Sequence, residues 1–206
     1  MNNIKKLQAE LPADSCALIT SDINRRYFTG MKSSAGTAVV FPDEAYLLID
    51  FRYFEKAEEI VRNCKVILDN NHWEQLNKLF RDHGTKCIWV ESETLTLENY
   101  KKFKKNIKGE MRFNISDDLS RTINRIRRIK TADELEKMQR AQEIADNAFK
   151  FVLDNFVVDD VTEGELARAL EFHMLSRGAE AVSFDTIVLS GANTSLPHGV
   201  PSEKKV

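Results

Sequence analysis

The stretch Gly36-Thr37-Ala38-Val39-Val40-Phe41-Pro42-Asp43-Glu44-Ala45-Tyr46-Leu47-Leu48-Ile49-Asp50 sets two apolar, β-rich runs on either side of Pro-Asp-Glu. Pro presets φ for a turn and Asp bonds its own backbone there, so the connection predicts an antiparallel hairpin with strands over 36–41 and 45–50. Further short β-rich runs lie outward of it, at 16–20, 65–68, 86–90 and 111–115. They alternate with helical stretches at 51–61, 72–83 and 97–105. Such alternation is the pattern of a layered α/β domain, and a hairpin inside it predicts a mixed sheet.

Beyond residues 121–125 the pattern changes to long helices. Thr131 and Glu134 form a capping box, in which each side chain satisfies an orphan backbone N–H. Leu135, Met138, Ala145, Phe149, Val152 and Phe156 then recur at helical spacing. They predict an amphipathic helix of about 25 residues, or about 37 Å. Thr162 and Glu165 make a second box, opening a helix that runs to Arg177, where Gly178 supplies a left-handed terminator. A strand is expected over 186–190. The reading is therefore two domains, 1–125 and 126–206, with 101–130 as the linker or seam.

A length of 206 residues is about 1.4 times a typical domain of roughly 150. Apolar residues make up 42% and aromatics 9%, which excludes disordered and fibrous classes. The sequence contains no apolar run of membrane-spanning length, and its start does not read as a signal peptide. A cytosolic, cytoplasmic protein is expected. Cys16, Cys64 and Cys87 form no C-x-x-C pair and read as reduced, mostly buried thiols.

The net charge of −2 hides an uneven distribution. Residues 101–130 hold 11 basic and 3 acidic groups, against 12 and 15 before them and 7 and 14 after. The basic run lacks aromatic interleaving and a nucleic-acid fold. A solvated face is expected, with the acids after residue 131 as partners for the arginines. Neither nucleic acid nor membrane is an expected partner.

The chain has no G-x-G-x-x-G, phosphate loop, G-x-S-x-G or H-E-x-x-H. His72 and His83 fall at the two ends of one predicted helix, and His173 sits within another. All three read as structural or solvated. His198 differs because it lies in Ser190-Gly191-Ala192-Asn193-Thr194-Ser195-Leu196-Pro197-His198-Gly199-Val200-Pro201. Flanking Pro and Gly restrict its pose, although a polar loop residue remains an alternative on the residues alone.

The run Ser183-Phe184-Asp185-Thr186-Ile187-Val188-Leu189-Ser190-Gly191-Ala192-Asn193 with Pro197-His198-Gly199-Val200-Pro201 resembles the Xaa-Pro aminopeptidase and prolidase family. That family includes creatinase and has the pita-bread catalytic fold. Arg128-Ile129-Lys130-Thr131 with Glu134, and Thr162-Glu163-Gly164-Glu165-Leu166-Ala167, are similar to marks of its catalytic domain. Arg26-Tyr27-Phe28-Thr29-Gly30 and Asp50-Phe51-Arg52-Tyr53 with Ala57 are similar to marks of its N-terminal domain. The resemblance implies a mixed-sheet α/β N-terminal domain followed by an incomplete pita-bread α+β domain.

It also implies hydrolysis of the bond before proline in a peptide, a tertiary amide without an N–H. Two divalent metals, of the manganese type, are held in full-length members by two Asp, one His and two Glu, and activate water between them. His198 matches the non-ligand catalytic histidine, which positions substrate and stabilises the tetrahedral intermediate. Phe184 matches an aromatic wall of the substrate pocket. Tyr27, Asp50, Arg52 and Tyr53 are expected to bond and pack rather than react.

The family's five ligands follow the Pro-His segment, whereas the sequence stops at Val206. Asp159, Asp160, Glu163, Glu165 and Asp185 match no ligand position and read as helix-cap or loop acids. The chain is expected to be an N-terminal piece that binds no metal, needs no cofactor and is inactive alone. Residues 1–125 are expected to fold independently, and residues 126–206 to be loosely packed, partner-dependent or prone to association. Two alternatives stay open: a non-catalytic dimerisation or interaction module, for which a homodimer is the expected state, and a creatinase-like hydrolase.

Overall fold

The structure, a computed structural model, describes residues 2–156 and 160–206. It divides into two compact units, Met1–Ile129 and Lys130–Val206. The first unit runs α1 (Asn3–Gln8), β1 (Ser15–Ile19), α2 (Asp22–Thr29), β2 (Thr37–Val40), β3 (Ala45–Ile49), α3 (Phe51–Ile60) and β4 (Lys65–Leu68). It continues with α4 (His72–Asp82), β5 (Cys87–Val90), α5 (Leu97–Asn106), β6 (Arg112–Asn114) and α6 (Asp118–Arg128).

Among the described residues, six strands form one sheet in the order β4-β3-β2-β1-β5-β6. The hairpin lies within it. β2 pairs antiparallel with β3, Thr37 opposite Leu48 and Val40 opposite Ala45, and antiparallel with β1. The Phe41 N–H closes the turn on the Glu44 carbonyl at 2.8 Å. β1–β5, β3–β4 and β5–β6 are parallel, so the sheet is mixed as expected.

Strand alternation sorts the apolar side chains onto two faces. Ala17, Ile19, Val40, Leu47 and Ile49 face Leu7, Phe28, Ala57, Leu119 and Ile123 from α1, α2, α3 and α6. Cys16, Leu18, Val39 and Leu48 face Leu76 and Phe80 of α4 and Phe103 of α5. Helices therefore cover both faces. Each fully buried Leu, Ile or Phe contributes roughly 1.5–3 kcal/mol against exposure.

Two buried polar groups fix the loops at the sheet's end. The Arg25 guanidinium, 1% exposed, donates to the carbonyls of Thr20 (3.1 Å), Gly36 (3.0 Å) and Ser33 (2.7 Å) and to Ser33 Oγ (3.2 Å). It also pairs with Asp22 at 2.7 Å. Glu91, just after β5, accepts from the N–H of Thr20 (2.6 Å) and Ser21 (2.9 Å) and from Asn24 Nδ2 (2.7 Å). These bonds tie the start of α2 to the ends of β1 and β5.

The segment 101–130 is not a linker. It forms the end of α5, β6 and α6, and Phe103, Leu119, Ile123 and Ile126 are buried in the core. α6 passes through residue 125 without a break. Three of the arginines find partners inside this unit: Arg121 with Asp117, Arg125 with Glu10, both at 2.7 Å, and Arg127 with Asn24 at 2.9 Å. Lys102 pairs with Glu98 at 2.7 Å on the exposed face of α5.

The other histidines take structural positions, His173 stacking on Phe151 with centroids 4.2 Å apart. His72 meets Asp69 at 2.6 Å, and His83 stacks on Phe41 with centroids 3.9 Å apart. Cys16 and Cys87 are buried and Cys64 is half-buried, all three free. Burial pushes the Cys64 thiol up to about 12, which suppresses thiolate chemistry.

The second unit holds α7 (Ala132–Phe156), α8 (Glu163–Ser176) and a 3-10 turn, Gly191–Ser195. Both capping boxes are formed. Glu134 N–H donates to Thr131 Oγ1 at 3.3 Å and Thr131 N–H to Glu134 at 2.7 Å. Thr162 and Glu165 exchange the same bonds at 3.2 and 2.9 Å. α8 closes with Gly178 N–H on Leu175 O and Ala179 N–H on Met174 O, both 3.1 Å, around Gly178 at φ 98°.

α7 has its expected length, but Ile144 and Ala148 are its buried residues, whereas Leu135, Met138 and Phe149 are exposed. α8 covers only part of the apolar stripe. The expected strand over 186–190 has no regular secondary structure and joins no ladder among the described residues; a strand requires a hydrogen-bonding neighbour along its length. No helix among the described residues is long and apolar enough to cross a membrane.

Candidate functional site

The start of α8 organises the loop that carries His198. The first N–H groups of a helix lack intrahelical partners. Here Glu163 N–H donates to Lys204 O at 2.9 Å and Gly164 N–H to Ser202 O at 3.0 Å, while Thr162 Oγ1 takes the Glu165 N–H. The tail after His198 is therefore docked on the helix start, and Val206 N–H reaches Val161 O at 2.9 Å.

With those N–H groups satisfied elsewhere, the Glu163 carboxylate turns to the loop. Its side chain is fully buried. Oε1 accepts from Ser190 N–H (2.7 Å), Ser190 Oγ (3.2 Å) and Asn193 Nδ2 (3.1 Å), and Oε2 from Ser202 N–H (3.2 Å) and Ser202 Oγ (2.7 Å). The Ser202 hydroxyl most strongly, then the Ser190 N–H and Asn193, hold its carboxyl down to about 2. Glu163 was expected to be a cap or loop acid. It serves instead as a buried acceptor for loop donors 27 to 39 residues downstream.

Other contacts tighten the same loop. Lys204 Nζ donates to Ser190 O at 2.6 Å. A Cβ at Gly199 would stand 2.6 Å from Leu189 Cδ1, so a side chain there would displace the Leu189 contact beneath the Pro197-His198-Gly199 turn. His198 is exposed on this turn, between Ser190 and Ser202. Phe184 is 71% exposed ahead of this loop. The Glu163 bonds gather Ser190, Asn193 and Ser202, and Phe184 is not part of that set.

The remaining acids are dispersed. Glu165 serves the capping box, Asp160 pairs with Lys205, and Asp185 is exposed. Asp159 lies outside the described residues. Among those described, no group of three or more His, Cys, Asp or Glu side chains could hold a metal ion. In the first unit Asp50 caps α3 through Arg52 N–H at 3.0 Å and pairs with the Arg52 guanidinium at 2.6 Å. Tyr53 Oη lies 2.8 Å from Ser34 Oγ, and Arg127 lies over the Tyr27 ring.

Residues 3–129 match the Creatinase/Prolidase N-terminal domain, and residues 136–206 match metallopeptidase family M24. The chain belongs to the creatinase/prolidase family. This family member is 34% identical over 210 residues to the "Uncharacterized peptidase YqhT" of Bacillus subtilis, aligning 100% of itself with 57% of that protein. It is 31% identical over 189 residues to the Xaa-Pro dipeptidase of Pyrococcus furiosus, over 91% of itself and 51% of the relative. Among solved structures, the Xaa-Pro dipeptidase from Bacillus anthracis superposes with a TM-score of 0.88 at 32% identity, over 99% of this chain and 57% of that one.

The creatinase/prolidase chain thus spans little more than half the length of the relatives it matches. Membership in M24 implies a divalent metal in the full-length family. The described acids and histidines of this chain do not make a donor set that fits one.

Proposed function

We propose that the chain supplies the N-terminal domain and the His198 loop of an Xaa-Pro peptidase, which hydrolyses the bond before proline in a peptide. The carrying observation is the exposed His198 on a turn fastened at both ends to Glu163. Relatives named Xaa-Pro dipeptidase and Xaa-Pro aminopeptidase support the substrate class. His198 donates a hydrogen bond to the oxygen that gains charge as the carbonyl becomes tetrahedral. Phe184 offers an apolar wall to the peptide. The two units, Met1–Ile129 and Lys130–Val206, are read as N-terminal domain and the opening part of a catalytic domain, and the chain alone turns over no Xaa-Pro peptide.

The test has two steps. The purified chain with manganese and a Gly-Pro peptide is expected to release no product. Mixed with the remainder of the Bacillus subtilis relative, it is expected to cleave, with His198→Ala lowering kcat by about 10²-fold. Cleavage by the chain alone, or an unaffected His198→Ala assembly, overturns the reading.

The same proposal takes the first unit to pair with a second copy in a cytosolic setting. Ile23 and Phe51, 68% and 79% exposed at the starts of α2 and α3, support the pairing, and the free thiols support the compartment. Sedimentation at several concentrations checks the dimer, and a strict monomer sinks it. A dimer without any reassembled activity would favour the interaction-module alternative.

A further inference from the structure

We propose that Glu163 is a positioning residue for His198, acting as an acceptor-only latch that fixes the Ser190–Ser202 loop to the start of α8. The inference rests on the reading of His198 above, but it concerns loop order rather than turnover.

Chemistry and placement carry it. Both backbone groups at the latch are N–H donors, from Ser190 and Ser202, and Asn193 Nδ2 donates to both carboxylate oxygens, at 3.1 and 3.3 Å. A group with two acceptor oxygens and no donor is what this ring of donors requires. A carboxylate removed from water is costly unless its lone pairs are filled, and here the loop fills them. Capping does not explain it, because Thr162 Oγ1, Lys204 O and Ser202 O already take the N–H groups at the helix start. The donors lie eight residues before and four residues after His198, so one side chain closes the loop that carries it. Leu189 beneath Gly199 and Lys204 on Ser190 O hold the same closed form.

A space-filling role and a latch differ in their response to Glu163→Gln, which keeps the shape but turns an NH₂ toward N–H donors. In the full 206-residue chain, amide exchange and the His198 ring signals are read by NMR. The variant is expected to speed exchange at Ser190 and Ser202 by about tenfold or more and to average the His198 signals, with the α7 interior unchanged. Should Glu163→Gln fail to fold, Ser202→Ala and Ser202→Thr serve instead. Loss of protection in the first and its retention in the second, which keeps the hydroxyl, supports the latch. Wild-type protection and a single His198 state in Glu163→Gln, or equal behaviour of the two Ser202 variants, overturns it. A loop that is ordered as expected in a reassembled enzyme indifferent to His198→Ala would instead refute the catalytic reading alone.

Discussion

At the scale of single residues, Glu163 and Arg25 show how much a buried charged group depends on distant partners. Glu163 is held down to about 2 by Ser202, Ser190 and Asn193, so folding favours its ionised form. The stabilisation is whole above about pH 4.5 and is lost as the pH falls toward 2. Acid titration followed by exchange across α8 and the loop is expected to show that loss, and Glu163→Gln is expected to remove this limb of the profile. Arg25→Lys is expected to destabilise the first unit by about 3 kcal/mol in urea unfolding, because one ammonium cannot reach Thr20, Ser33, Gly36 and Asp22 together. Neither role was legible in the sequence. Glu163 follows a capping Thr and looks like any first-turn acid, and the donors that define it lie 27 or more residues away. His198 was legible as distinctive through its flanking Pro and Gly, but the side chain that fastens its loop was not.

Among the elements, those with a strong local signal matched the sequence reading. The hairpin, β4 over Lys65–Leu68, α4 and the two capping boxes each carry their own turn, period or cap. α1 escaped because six residues hold too few turns to display a period. α2 was read only as a family mark, although Ser21 caps its start and Gly30 ends it in the left-handed region; Glu91 on the neighbouring strand β5 adds the non-local bonds that hold that start. In α6 the arginines overshadowed Leu119, Ile123 and Ile126, whose spacing places them on one buried face. If α6 is core rather than connector, Ile123→Ala is expected to cost about 2–4 kcal/mol in urea unfolding. Arg121→Ala, on the exposed face, should change stability by about 0.5 kcal/mol or less. The unfulfilled strand at 186–190 is the reverse case, since β-rich residues alone cannot supply a ladder partner.

For the whole molecule, the division into two units has a direct test. A chain ending at Ile129 is expected to fold by itself with a cooperative melt, because it keeps the sheet and both helical layers. A chain ending at residue 125 loses the buried Ile126 and the Arg127 bond to Asn24. It should melt lower by about 2 kcal/mol of stability or more. Equal melts would return the boundary to residue 125. One of the two central strands of that sheet also constrains the order of assembly. β1 has one edge satisfied by β2, about twenty residues away, but the other only by β5, where Ser15 meets Cys87 and Leu18 meets Val90. Pairings so far apart in sequence close late. During synthesis, β1 therefore waits with one edge open until residues 87–90 have left the ribosome, and the polypeptide is most vulnerable to mispairing in that interval.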